Sequence, residues 1–219
     1  MINWVIFDAM GVVFTVGDDT NDLLVPFVQE RNGSASRDVI NKTYLRASLG
    51  EITSRQFWHE IGLGAYYPAI ETEYLDTMLI IDNEFLPVAR RMTGRYSLGL
   101  LSNDVSEWSG YLSTRFSLDF FDTVVISGNI HYRKPDLGIY ELFLQEAKAS
   151  AQECVFIDDR YKNLAPAREL GLKTIHFARE PANGNFIPDA TISSFAALES
   201  TLERICQQPH PVDRTGRDV

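Results

Sequence analysis

Short apolar runs recur along the chain, each closing on a polar residue. Trp4-Val5-Ile6-Phe7 stops at Asp8, Leu98-Gly99-Leu100-Leu101 at Ser102, Thr123-Val124-Val125-Ile126 at Ser127 and Cys154-Val155-Phe156-Ile157 at Asp158. Lys173-Thr174-Ile175-His176-Phe177 is a fifth run. Short runs that are apolar on both faces predict strands buried inside a parallel sheet. Helical patterns lie between them: Glu84 to Met92, Ser106 to Phe116, Asp136 to Lys148, and Asn163 to Leu170 ahead of the terminator Gly171. Strands alternating with helices predict an α/β fold, a Rossmann-like parallel sheet with helices on both faces.

One stretch breaks the alternation. From about Asp18 to Asp82 the pattern is helical throughout, with no strand. Asp19 or Thr20 can cap a helix running to Gln29, Ser36 one running to Ala47 ahead of Gly50, and Thr53 or Ser54 one through Trp58 to Ile61. Pro68 can open a fourth helix towards Met78. The expected organisation is a core domain from 1–16 and 84–206, a small helical insertion at 17–83 after the first strand, and a polar, proline-bearing mobile tail at 207–219.

Composition narrows the class. With 219 residues, 45% hydrophobic, the chain can bury a core without disulfides or a structural metal. Its two cysteines, Cys154 and Cys206, lie far apart, match no metal-ligand spacing and read as reduced and structural. No apolar run is long enough to cross a bilayer, and no signal peptide is legible at Met1, so a cytoplasmic protein is expected. The net charge of −10 disfavours nucleic-acid partners and would also repel small anions at long range. A phosphate site on this chain must therefore supply its own positive charge locally.

Ligands of open α/β sheets bind beyond the carboxyl ends of the strands. There the chain places Asp8, then Ser102 and Asn103, then Arg133 and Lys134 on a loop, then Asp158 and Asp159. A carboxylate, a hydroxyl with an amide, a cation and an acidic pair share one predicted rim.

Four segments on that rim resemble the motifs of the haloacid dehalogenase-like hydrolase superfamily, capped subfamily I. They are Asp8-Ala9-Met10-Gly11-Val12, Leu101-Ser102-Asn103, Arg133-Lys134-Pro135-Asp136, and Phe156-Ile157-Asp158-Asp159 followed by Asn163 and Ala167 to Gly171. The paired aspartates are most similar to those of small sugar-phosphate phosphatases and of the phosphatase domain fused to soluble epoxide hydrolase. The resemblance implies that Asp8 is a nucleophile forming a covalent intermediate that water hydrolyses. It implies Mg²⁺ held by Asp8, the backbone carbonyl of Met10 and Asp159, with support from Asp158, and a metal shell oriented by Asn163. Lys134, Ser102 and the amide of Asn103 would bind the phosphoryl oxygens of a small phosphorylated substrate. The insertion stands where many relatives carry a helical cap.

The motif departs from the family at Met10. The phosphatases carry an aspartate there, which protonates the leaving alcohol and then activates water. A thioether does neither. General acid–base catalysis is worth about 10²–10⁴-fold, so simple alkyl phosphates should suffer most from its loss. Dehalogenases of the family also lack an acid at this position, because halide leaves unprotonated, and a 2-haloacid dehalogenase-like hydrolase is the alternative reading. The adjacent Asp158 and Asp159 favour a metal and phosphoryl transfer, since uncompensated carboxylates repel. A weakly catalytic phosphate-binding relative is a third reading. A receiver-type phosphoacceptor fits less well, since its acidic pair would precede the acceptor aspartate.

Plainer roles compete for some of these residues. Ser102 or Asp104 can cap the following helix, and Asp104 is also a candidate for the missing acid. Lys134 can be a solvated loop lysine, and Met10 a packing residue. Arg46, Trp58 and His59 in the insertion are candidates to face substrate.

Overall fold

The computed structural model describes residues 1–179 and 184–207. Six strands form one parallel sheet: β1 (Trp4–Phe7), β2 (Ser97–Ser102), β3 (Thr123–Ile126), β4 (Cys154–Asp158), β5 (Lys173–Phe177) and β6 (Ala190–Ile192). Their order is β3-β2-β1-β4-β5-β6. The central β1 is in register with β2 and β4, with Phe7 opposite Leu100 on one side and Ile157 on the other. Asp8 therefore leaves the sheet between two neighbouring strand ends.

Burial on both faces explains the absence of alternation in these strands. Ile6, Leu101, Val125 and Phe156 pack on one side with Ile139, Tyr140, Phe143 and Leu164. Val5, Phe7, Leu98, Leu100, Val155 and Ile157 pack on the other with Phe85, Trp108 and Phe195. Gly99 is the concession to this packing, since a Cβ there would lie 2.2 Å from Cζ of Phe143.

Ten α-helices complete the described chain: α1 (Val25–Arg31), α2 (Arg37–Ser48), α3 (Ser54–Glu60), α4 (Ala69–Met78), α5 (Phe85–Met92), α6 (Ser106–Phe116), the single turn α7 (Ser127–Ile130), α8 (Leu137–Ala147), α9 (Tyr161–Glu169) and α10 (Leu198–Gln207). Ser36 caps α2 by accepting from the amide of Val39, and Thr53 forms a reciprocal capping box with Gln56 on α3. β6, α7 and α10 are elements that the sequence pattern does not predict. The predicted tail lies outside the described residues, apart from Gln207, which ends α10.

The first helix of the insertion differs from expectation. It opens as a π-helical turn over Thr20–Leu24 before continuing as α1, and Asp19, in the N-cap place, makes no side-chain cap hydrogen bond. Such π turns often mark functional positions.

The insertion is fastened to the sheet-bearing part by aromatic side chains. Phe57, Trp58 and Tyr74 surround Trp108 of α6, with ring centroids 5.5, 6.1 and 5.4 Å away. Glu71 Oε2 accepts from both buried indoles, at 2.9 Å from Trp58 and 2.8 Å from Trp108. The apolar interior of the insertion is thereby continuous with one of the two core clusters.

Candidate active site

The strand ends converge on a cleft of roughly 100 Å³ lined by Asp8, Met10, Ser102, Asn103, Lys134 and Asn163 from the strand-end loops. Residues 17 to 20 and Tyr44 line it from the insertion side, and Arg133, Arg160 and Lys162 also border it. Four cations, Arg133, Lys134, Arg160 and Lys162, thus border one small space together with the carboxylates of Asp8, Asp18 and Asp19, a local excess of positive groups on a chain of net charge −10.

Lys134 is the hub. Its side chain is 1% exposed, and Nζ lies 2.6 Å from Oδ1 of Asp8 and 2.9 Å from Oδ2 of Asp158. It is no solvated loop lysine. Burial disfavours the ammonium, but the two carboxylates outweigh it and hold its pKa above the ordinary value. Asn103 fixes this loop with two bonds, donating from Nδ2 to the carbonyl of Lys134 at 2.9 Å and accepting from its amide at 2.8 Å. The side chain of Asn103 is therefore committed to holding Lys134.

Asp8 Oδ1 also accepts from the amide of Ala9 at 2.6 Å. Among the described residues no hydrogen bond reaches Oδ2. Burial, and then the charges of Asp158 and Asp159, raise the Asp8 pKa well above the usual carboxylate range, while Lys134 pulls it down.

The acidic pair divides its work. Asp158 is fully buried and saturated: besides Lys134 it accepts from the amide of Arg160 at 2.8 Å and from Nδ2 of Asn163 at 3.1 and 3.0 Å. Asp159 Oδ1 is buried with no hydrogen-bond partner. Its carboxyl rests against two glycines, where a Cβ would come within 2.4 Å (Gly11) or 2.2 Å (Gly17) of Oδ2. Gly11 also has φ +82°, a conformation that favours glycine. Burial and the neighbouring Asp158 push Asp159 up to about 7. Carboxylate oxygens of Asp8, Asp158 and Asp159 lie within 4.8 Å of one another. Hard oxygen donors, mutual repulsion and an unpartnered oxygen are features that a divalent cation satisfies.

Other residues support this floor. Arg179 donates to the carbonyls of Gly11 and Val12, both at 2.8 Å, and pairs with Asp82 at 2.7 Å, pinning the turn after β1. Ser102 Oγ is buried, unpartnered and on the cleft, and it does not cap α6. Asp104 is not on the cleft; its Oδ1 accepts from the amide of Val105 at 2.7 Å. Met10 lines the cleft and is also packed into the core.

Three candidates from the insertion are elsewhere. Trp58 is buried under Glu71, Arg46 pairs with Glu60 at 2.6 Å, and His59 is exposed. The residues that do reach the cleft from that side are Asp18, Asp19, Thr20 and Tyr44. Arg160 and Lys162 also escape the sequence reading, although their adjacency to Asp159 is a usable signal. Nothing in the sequence marks Tyr44, which sits mid-helix.

A family model described as haloacid dehalogenase-like hydrolase matches residues 84–177. The sesquiterpene phosphatase astK of Aspergillus oryzae is 25% identical over 179 residues, 78% of this chain and 87% of that one. The mouse bifunctional epoxide hydrolase 2 is 42% identical over 100 residues, which are 45% of this chain but only 16% of that much longer protein. Among solved structures, a HAD family enzyme of Bacteroides thetaiotaomicron in complex with magnesium and inorganic phosphate superimposes with a TM-score of 0.66 at 21% identity, over 83% of this chain and 97% of that one. The matched segment runs from α5 to β5, and the strand preceding it delivers Asp8 to the same cleft, so the likeness to the haloacid dehalogenase-like hydrolases takes in the part of the chain that builds the site.

Proposed function

We propose that the protein is a cytoplasmic, Mg²⁺-dependent phosphatase of a small phosphorylated metabolite that works through a phosphorylated Asp8. The observation that carries this reading is the carboxylate of Asp159, whose buried Oδ1 has no hydrogen bond and only a distant Arg160 guanidinium at 3.9 Å, cradled by two glycines within reach of Asp8 and Asp158. A carbon-centred displacement has no use for such a carboxylate. The phosphatase among the relatives and the phosphate-bound structural neighbour point the same way.

Asp8, the carbonyl of Met10 and Asp159 would hold Mg²⁺, with Asp158 behind them. When bound, the ion would neutralise the crowded carboxylates and polarise the phosphoryl group. Lys134 orients Asp8 and offsets charge on the transferring group. The buried Oγ of Ser102 and the amide of Asn103 donate to the equatorial oxygens, a preorganised arrangement that needs no reorientation during reaction. The helical segment 17–83 acts as the cap, covering the leaving group and excluding water.

A second reading rests on Met10, which leaves position 10 without an acid and so resembles a dehalogenase. A screen of phosphorylated metabolites and 2-haloacids, run with Mg²⁺ and with chelator, separates the two. Phosphate release that disappears with chelator is expected. Halide release that survives chelation would reverse the ranking.

A further inference from the structure

Resting on the phosphatase reading, the cleft poses a problem of proton supply. Attack by Asp8 at phosphorus sends the leaving oxygen out roughly opposite the attacking one. Asp8 stands at the end of β1, so the leaving oxygen departs away from the strand end into the cleft, which residues 17 to 20 and Tyr44 also line. Of these, Asp19 is the buried carboxyl, 8% exposed. Asp18 beside it is half-exposed and engaged with the side chain of Asn21.

Asp19 stands where a helix cap belongs, yet makes no side-chain cap hydrogen bond to the turn ahead; its carboxyl is met only by the neighbouring amide of Thr20, and the helix after it opens as a π turn. A buried carboxyl at a helix start that forgoes its cap bond is held for something else. We propose that Asp19 is the general acid and base of the reaction, supplying from the insertion side the proton that Met10 cannot supply from the strand side.

The chemistry balances. As Asp8 forms its bond to phosphorus, the bond from phosphorus to the leaving oxygen breaks, and that oxygen takes the proton of the Asp19 carboxyl. In the second half, Asp19 as carboxylate takes a proton from water while the water oxygen bonds to phosphorus. The bond from Asp8 to phosphorus then breaks, releasing phosphate and restoring both aspartates.

The surroundings suit the role. Burial pushes Asp19 up to about 6, and Asp18 adds to this, while Arg160 and Arg133 pull it down. Tyr44 of α2, Tyr74 of α4 and Asp104 of the loop after β2 also feel its charge, and Asp8, Lys134 and Lys162 border the same cleft. A group with a pKa near the working pH serves both as acid and as base. Protonated Asp19 predominates below about pH 6, so leaving-group departure should slow as pH rises past that value.

The test compares substrates that need a proton with one that does not. For an alkyl phosphate, Asp19→Asn should lower kcat/KM by about 10²-fold, whereas for p-nitrophenyl phosphate it should change by less than about threefold. With p-nitrophenyl phosphate, kcat should still fall, with a burst of nitrophenolate and accumulation of phosphorylated Asp8, because the second half has lost its base. The wild-type enzyme gives an independent reading across a series of leaving groups. Its kcat/KM should depend weakly on leaving-group basicity at pH 5.5 and steeply at pH 8. Equal losses on both substrates, an unaffected alkyl phosphate, or one slope at both pH values would overturn the assignment. A wild-type enzyme that cleaves neither ester with Mg²⁺ removes the phosphatase reading and this role with it. One that cleaves both and ignores Asp19→Asn removes this role alone.

Discussion

The two walls of the cleft are built differently. On the strand side the central charged groups are tied to one another: Lys134 joins Asp8 to Asp158, Asn103 holds Lys134, Asn163 and the amide of Arg160 hold Asp158, and Arg179 pins the turn after β1. Among the described residues the oxygens left without a hydrogen bond there include Oδ1 of Asp159, at the place proposed for the ion, and Oγ of Ser102, at the place proposed for the phosphoryl group. On the insertion side, Asp19 makes no side-chain cap hydrogen bond, the Tyr44 hydroxyl donates to the carbonyl of Asn103 at 3.3 Å, and behind them the hydroxyl of the buried Tyr74 has no partner among the described residues. A tied wall is rigid and fixes geometry, which phosphoryl transfer to a fixed nucleophile needs. A looser wall keeps its bonding capacity for what enters the cleft, so that is where the individual chemistry of this chain should be sought.

Asp104 lies under the junction of the walls and offers the largest expected effect. Burial, with a contribution from Asp19 across the junction, raises it to about 8. The folded protein then keeps a proton that the unfolded chain releases near pH 4, and stability is lost as pH rises from there through about 8. Each tenfold difference in proton affinity between the two states is worth about 1.4 kcal/mol, so the burden at pH 8 is on the order of 5 kcal/mol. Asp104→Asn keeps the acceptor for the amide of Val105 and removes the charge. Urea unfolding with chelator present should find the variant equal to wild type near pH 4.5 and several kcal/mol more stable at pH 8. Parallel stability curves would show that the junction is wetter than its burial indicates.

The same contrast governs what is legible in the sequence. The strand-side residues follow apolar runs that can be read only as buried strands, so Asp8, Ser102, Lys134, Asp158 and Asp159 can be placed on one rim from the sequence. β6 escapes because three residues, Ala190 to Ile192, carry too little pattern, and its pairing with β5 is a tertiary fact. Asp19 is visible but misleading, since a carboxyl before a helical pattern has the signature of a cap, and only the π turn and the burial distinguish the two. Trp58 has the pattern of a substrate contact. Its indole is instead consumed by Glu71, the residue that also binds Trp108, a convergence that helical periodicity does not encode.

If the walls are alternative sources of one proton, they should substitute for each other. Met10→Asp places a carboxyl where the family's phosphatases have one. In the Asp19→Asn background it should restore alkyl phosphate kcat/KM by about 30-fold, while in the wild-type background it should raise it by less than about fivefold. The coupling between the two substitutions, read from the four enzymes, is the measurement. Strictly additive effects would mean that the walls act on different steps and would confine Asp19 to binding.

The smallest expected effect tests the rigidity of the strand wall directly. A Cβ on Gly17 would stand 2.2 Å from Oδ2 of Asp159, so Gly17→Ala must displace that carboxylate. Gly110, mid-helix on α6, has nothing within 4 Å of its Cβ position and serves as the control. Mg²⁺ affinity, measured by titration calorimetry at pH 8, should fall by about tenfold in Gly17→Ala and stay unchanged in Gly110→Ala. Because Asp159 sits at about 7, wild-type affinity should also rise between pH 6 and pH 8, as the carboxyl gives up its proton to make room for the ion. An affinity indifferent to both the methyl group and the pH would take Asp159 out of the metal site, and with it the reason for the two glycines.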